Sequence, residues 1–356
     1  MWVNSKALEE SGITVKDSDA WNAYDHTTGS YDNGTGTVVL DSDHNPTGYL
    51  KELATELVSE ITPSYTKAEI KKAVLYGQNW LVKAGFTTIF DAGMNVGTDK
   101  NYYQAIEELA EAGKLKIRIR GAWWVQPTIG NSFSDFKAYI DKARKIDKTF
   151  KTDYYKVNTV KLMADQVLEM GTAYMSDGYI DSSTGQKVKS DNGKVWKGKE
   201  DILKQILSYS DNNGMQIHIH QIGDGGASYM LDILEELQNT TNPNLKNHRA
   251  TFAHCQFISE KDKKRMAELG MNAVVAPYWS VMDDYYWDVY APLVGRDTLD
   301  TDQYPMQSLI DDGINVGIHS DFFVTEPNIG WLFYSAMTRT LPKKVYDSCS
   351  LLEPCP

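Results

Sequence analysis

Cysteine is scarce in this chain: three occur in 356 residues, Cys255 inside an apolar stretch and Cys349 and Cys355 in the last eight positions. From that placement no disulfide framework can be inferred. No run of ~18 apolar residues could span a bilayer, and no basic-then-apolar leader follows Met1. Basic residues are also in deficit, with 36 Lys and Arg against 48 Asp and Glu, a net charge of -12. Such a balance disfavours attraction to phosphate backbones and anionic lipid. Neither a nucleic-acid nor a membrane partner is expected, and a cytoplasmic location is.

What is present is a composition 42% hydrophobic, enough at this length for one large α/β domain or two smaller ones. The central stretch repeats one rhythm, a short β-branched or aromatic run followed by an amphipathic segment with helix start and stop signals. That alternation predicts a parallel sheet. Seven runs qualify as strands, at 86–93, 116–125, 158–165, 215–223, 249–258, 271–277 and 314–323. Between them, "TKAEIKKAVLYGQNWLVKAG" reads as a helix with a Thr66/Glu69 capping box, a face of Ile70, Val74, Gly77 and Leu81, and a stop at Gly85. "SEKDKKRMAELG" reads likewise, from Ser259 as N-cap to Gly270. A doubly wound open sheet would alternate too, but seven strands over this length favour a (β/α)8 TIM barrel with one strand missing.

Residues 1–65 differ. They read as an N-terminal helix and a small β excursion with turns at Asn33-Gly34 and Asn45-Pro46. A second polar insertion, "SDGYIDSSTGQKVKSDNGKVWKG", follows the third strand, and both insertions are placed near the barrel mouth. The expected organisation is an edge unit over 1–65, an incomplete barrel over 66–340, and a tail over 341–356.

Parallel barrels carry their active sites at the C-terminal ends of the strands. Here those ends offer Asp91, Lys161 with Asp165, His218 with His220, His254, and His319 with Asp321, residues that apolar strands rarely tolerate without partners. Strand alternation puts 161 and 165, 218 and 220, and 319 and 321 on shared faces. A lone strand histidine is more often a hydrogen-bonded core residue than a ligand. Jointly, imidazoles and carboxylates at neighbouring strand ends form the donor set of a divalent metal. A lysine joins such a set only as an anionic carbamate.

"VKLMADQVLEMGTA", "HQIGDGGASYMLDILE", "HRATFAHCQFIS", "IHSDFFVTEPNIGWLFYSAMTR" and the opening "MWVNSKALEESGIT" together resemble the amidohydrolase superfamily, in particular the amidohydrolase family 3 group with its N-substituted formamide deformylase-like members. The likeness runs from residue 2 to about 340. It implies a metal-dependent hydrolase of small molecules on a distorted (β/α)8 barrel, cleaving a C-N bond in an amide or formamide. By the same resemblance Lys161 is the carboxylated lysine, His220 and His254 are metal ligands, and Asp321 binds metal and moves the proton of the attacking water. A divalent ion is implied, zinc by ligand type, at one site at most in this chain.

Three departures accompany the likeness. No His-x-His pair precedes residue 86, where the family's first strand carries one; His26 and His44 stand alone. His319 replaces a glycine of the family pattern, and the family's final segment, part of a companion β-sandwich, is not matched by the tail. The chain therefore reads as an internal portion of a longer hydrolase, with a missing N-terminal fragment as a candidate partner. His218 is read as lying one inward position deeper than His220, and with His319, Asp165, Asp91 and Arg339 it is a candidate for supporting the ligands or touching substrate. Competing readings stay open. Asp91 and Asp165 serve equally as strand-end caps, Arg339 as a brace for the last helix, Asp224 as an N-cap, and "PYWSVMDDYYWDVYAP" (277–292) as ordinary packing or pocket lining. A noncatalytic remnant that binds a ligand or partner is the alternative function. A barrel glycosidase would need two opposed carboxylates, which the His-rich strand ends argue against.

Overall fold

The computed structural model describes residues 1–31, 36–59, 61–189, 193–322 and 324–342. Each of the seven expected runs overlaps one strand: β1 Thr88–Met94, β2 Arg118–Trp124, β3 Tyr155–Met163, which starts three residues before its run, β4 Gln216–Gln221, β5 Thr251–His254, β6 Asn272–Val275 and β7 Asn315–Ile318. All pair in parallel, in chain order, within one sheet. The later strands are shorter than their runs because the backbone leaves the ladder: His254 and Cys255 take φ of 78° and 53°.

The helices that accompany these strands are α1 Lys67–Lys83, α2 Lys100–Glu111, α3 Phe133–Asp147, α4 Glu200–Asn212, α5 Asp224–Asn239, α6 Glu260–Glu268, α7 Met306–Asp311 and α8 Ile329–Thr338, beside shorter ones at Ser5–Glu10, Asp19–Asn22, Ala291–Val294 and Arg296–Asp302. Their apolar faces enclose one large core with the sheet, including Trp123, Phe136, Tyr155, Trp196, Ile219 and Phe252. Burying each such side chain contributes about 1.5–3 kcal/mol before entropy is counted. The Thr66/Glu69 capping box starts α1, and Ser259 caps α6 by accepting the Asp262 N–H at 3.2 Å. The inner face of α1 corrects the expectation at one position. Ile70 and Leu81 are buried, but Gly77 faces open space and Gln78 packs instead, its Nε2 donating to the Lys114 carbonyl at 3.2 Å. A glutamine satisfied by the adjoining backbone can occupy an apolar stripe.

Gly36–Leu40 and Pro46–Glu52 pair as an antiparallel hairpin. Its turn lies just before the Asn45-Pro46 step, where Asp41 Oδ1 accepts the N–H groups of Asp43 and Asn45 at 2.9 Å. The turn expected at Asn33-Gly34 lies outside the described residues. This N-terminal region has its own small core of Leu8, Ile13, Tyr24, Val38, Leu50 and Val58. The polar insertion after β3 holds a two-residue antiparallel pair, Tyr179–Ile180 with Lys187–Val188.

The sheet is open, with β1 and β7 as its edges, but it curls. The Phe90 ring on β1 reaches within 4.8 Å of His218 on β4, and Trp80 of α1 meets Phe322 beyond β7 at 5.0 Å. The architecture is thus an α/β half-barrel with facing edges. Apolar side chains stay exposed along this seam, Tyr76 at 81% and Met337 at 83% among them. Among the described residues no helix is long and apolar enough to cross a membrane.

Candidate metal centre

Parallel register places the polar residues of β3, β4, β5 and β7 at one end of the sheet. Lys161 lies opposite His218 across the β3–β4 ladder, and its Nζ sits 3.3 Å from His218 Nδ1. Two residue pairs further along the two strands, the His220 ring stands 4.5 Å from that of His254, which stands 5.0 Å from His319. Trp279, in the turn after β6, stacks on His254 at 5.2 Å with the rings only 8° from parallel. Asp321, just past β7, interacts electrostatically with Lys161. Lys161, His218, His220, His254, His319 and Asp321 are therefore brought together.

Electrostatics follow from burial. Desolvation lowers Lys161 to about 8, with the Asp321 charge opposing, and raises the Asp321 carboxyl, with Lys161 opposing. All four imidazoles are depressed, by burial first and by the Lys161 charge among the smaller causes: His220 to about 3, His319 to about 4, and His218 and His254 well below their ordinary value. At neutral pH each is uncharged, the state in which imidazole donates a lone pair. Backbone strain accompanies this, since His254 and Asp321 adopt left-handed φ of 78° and 50°, conformations costing ~1–3 kcal/mol each and concentrated at functional sites.

The donor chemistry fits a divalent ion. His220 Nε2 contacts the Gln166 carbonyl at 2.9 Å; a carbonyl only accepts, so Nε2 carries the proton and Nδ1 holds the free lone pair. Metal-binding histidines are oriented by this kind of bond. Among the described residues His254 Nδ1 and His319 Nε2 are buried with no hydrogen-bond partner, a costly state that a cation would relieve. Two imidazoles on one ion hold their ring centres roughly 5 Å apart, close to the spacings seen. Yet no three His, Cys, Asp or Glu side chains among the described residues stand as a finished ligand set.

The remaining candidates lie elsewhere or serve the scaffold. Asp91 accepts the Tyr102 hydroxyl of α2 at 2.7 Å, on the face opposite its neighbour Phe90, so it is separated from the cluster. Asp165 accepts the N–H groups of Ile222 at 2.9 Å, Gly223 at 2.6 Å and Tyr174 at 3.0 Å; burial still pushes its carboxyl up to about 7. A Cβ on Gly226 would sit 2.8 Å from the Asp165 carboxyl carbon, and one on Gly223 2.1 Å from the Tyr174 carbonyl oxygen, which accounts for the glycines around Asp224. Gly223, not Asp224, is the N-cap of α5; the Asp224 carboxylate instead accepts the Ser176 N–H at 2.9 Å and its hydroxyl. Arg339 donates to the Tyr304 carbonyl at 2.7 Å and closes α8 in a left-handed cap, bracing the last helix. Within 277–292, Tyr278, Tyr286 and Tyr290 are buried, and Trp279 is the member that meets the cluster. Sequence reasoning had not singled out Phe90 or Trp279; alternation with Asp91 was the available signal for Phe90.

A curled parallel sheet with histidines, lysine and aspartate at its C-terminal edge defines a metal-hydrolase type of scaffold. Residues 1–350 match the model of the amidohydrolase family, and the chain belongs to that family. The family implies a divalent metal. Arabidopsis thaliana protein LONG AFTER FAR-RED 3 is 23% identical over 313 residues, covering 86% of this chain and 50% of that protein. YtcJ of Bacillus subtilis (strain 168), whose name provisionally makes it an amidohydrolase, is 22% identical over 323 residues, covering 88% and 51%. The chain spans about half the length of the curated relatives it matches. A crystal structure of an uncharacterized metal-dependent hydrolase from Pyrococcus furiosus superposes with a TM-score of 0.61 at 17% identity, covering 94% of this chain and 59% of that one. That likeness shows the fold.

Proposed function

We propose that residues 66–340 form the barrel portion of a metal-dependent hydrolase that cleaves the C-N bond of a small amide or formamide. The observation that carries this reading is the convergence of buried Lys161, His220 and His254 with the half-buried Asp321 at one end of the sheet. When bound, a divalent ion, zinc on this donor set, supplies a water of lowered pKa and polarises the scissile carbonyl. His220 offers Nδ1, with its ring held by the Gln166 carbonyl, and His254 offers its unpartnered Nδ1. The lowered pKa of Lys161 leaves part of its amine neutral near pH 7; that amine adds carbon dioxide and releases a proton, giving an anionic carbamate ligand. Asp321 takes the proton of the attacking water and passes it to the departing amine. His218 orients Lys161 from one side, and His319 lies beside His254.

A second reading, a remnant that binds a ligand without turnover, is favoured by the unfinished ligand set. The two unpaired edges of the sheet support a companion segment supplied by another polypeptide as the partner that would complete it. The test is metal content after zinc or cobalt loading, with hydrolysis of a panel of amides and formamides, alone and with the upstream coding sequence co-expressed. One bound ion is expected, lost in His254→Ala, with roughly 1,000-fold slower turnover in Asp321→Asn. No metal and no turnover in either format would leave the remnant reading.

A further inference from the structure

A cavity of about 310 Å³ with mixed polar and apolar lining opens where β1 and β2 end. None of its lining residues belongs to the histidine cluster, which sits on or just beyond β4, β5 and β7. Its walls come from four separate parts of the chain, one of them the Asn95–Gly97 stretch that follows β1. Glu56 is on the turn Leu53–Val58 of the N-terminal region, Gln126 and Thr128 follow β2, and Tyr139 and Lys142 are on α3. The volume is at the lower end for small-molecule sites, roughly 300–1,000 Å³.

Two of these groups carry opposite charges that do not meet. Glu56 is half-buried, burial pushes its carboxyl up, and among the described residues its polar contact is the Thr128 hydroxyl, which donates to Oε1 at 3.3 Å. No cation pairs with it among the described residues. Lys142 has no carboxylate partner among them either: its neighbour Asp141 is taken by Lys137 at 2.7 Å, Arg144 at 3.6 Å and the Tyr209 hydroxyl at 2.6 Å. The Tyr139 hydroxyl is also engaged, donating to the Trp124 carbonyl at 2.9 Å and accepting the Val96 N–H at 3.1 Å, so it forms wall rather than ligand contact. A cavity with an unneutralised carboxylate on one wall and an unneutralised ammonium on another opposes any ligand of one sign. A single charge is attracted by one wall and repelled by the other, whereas a molecule carrying both charges satisfies both walls at once.

We propose that this cavity binds a small zwitterion of the amino-acid type, its ammonium at Glu56 and its carboxylate at Lys142. The test is calorimetric titration and thermal denaturation of the full chain with glycine, β-alanine and γ-aminobutyrate. Acetate and methylamine serve as single-charge controls, all at constant ionic strength and with chelator present to keep the histidine cluster out of play. At least one zwitterion is expected to bind saturably and raise the melting temperature, with each control about ten-fold weaker. Glu56→Gln and Lys142→Met should each cost about ten-fold in affinity. Lys142 is exposed on a helix, so its variant keeps the test alive if Glu56→Gln disturbs the docked turn. Binding no tighter than acetate or methylamine, or unchanged affinity in the variants, overturns the proposal.

Discussion

Lys161 and Asp165 lie four residues apart where β3 meets its loop, and both are buried, yet their surroundings treat them oppositely. Asp165 receives three backbone N–H groups that fasten the 174 and 222–223 segments. Lys161 has three protons to donate and one neighbour to take them, His218 Nδ1. The hydrogen bonding of the first region is complete and that of the second is open. A buried polar residue thus reveals its role less by being buried than by what remains unmatched around it. Unmatched nitrogens on His254 and His319 place the whole cluster with Lys161 rather than with Asp165.

Removing Asp165 should have the largest effect. Asp165→Ala would strand two buried amides and a part-buried third, the buried ones at ~1–3 kcal/mol each, so a loss of at least about 2 kcal/mol is expected in urea denaturation. Metal affinity of whatever remains folded should change little. A loss below about 1 kcal/mol together with a lost ion would break the comparison and move Asp165 into the site.

Much of this was legible in the sequence. The seven runs emerged as strands because β-branched and aromatic clusters alternate with capped amphipathic segments, and the strand-end histidines stood out against apolar neighbours. What failed was phase and local satisfaction. In "FTTIFDAG" the polar residue near the strand end looked functional, but Phe90 faces the cluster and Asp91 faces α2. Hydropathy could not show that Gln78 would be satisfied by the backbone at 114, nor that Asp224 would reach Ser176 and leave the N-cap to Gly223. Each of these errors concerns a partner far along the chain, which periodicity does not encode.

Acid should expose the same contrast at a smaller scale. His220 and His319 are depressed to about 3 and about 4 from an ordinary 6.5, so between those limits the unfolded chain binds protons the folded cluster refuses. Their stabilising contribution is complete above pH 6.5 and is lost as pH falls toward 4. Each adds a slope of at most about 1.4 kcal/mol per pH unit. Denaturant midpoints of the metal-free protein between pH 7 and 4.5 should fall accordingly, and the slope should shrink in His319→Asn. A flat profile would mean the imidazoles are solvated, which would undo the burial on which the cluster's chemistry depends.

The smallest expected effect separates the two regions most cleanly, because its sign is reversed. Desolvation holds Lys161 far below its ordinary pKa, so near pH 7 its folded, mostly protonated form is costly and is relieved only as pH rises from about 8 toward 10.5. Lys161→Met removes that buried charge and fills nearly the same volume. Leaving His218 Nδ1 without its neighbour offsets part of the benefit, so a gain of roughly 1 kcal/mol is expected in the metal-free chain, accompanied by loss of metal binding. A variant that is both more stable and unable to hold an ion would mark Lys161 as kept for chemistry at the expense of the fold, the converse of Asp165. A destabilised variant would instead place Lys161 in the scaffold alongside it.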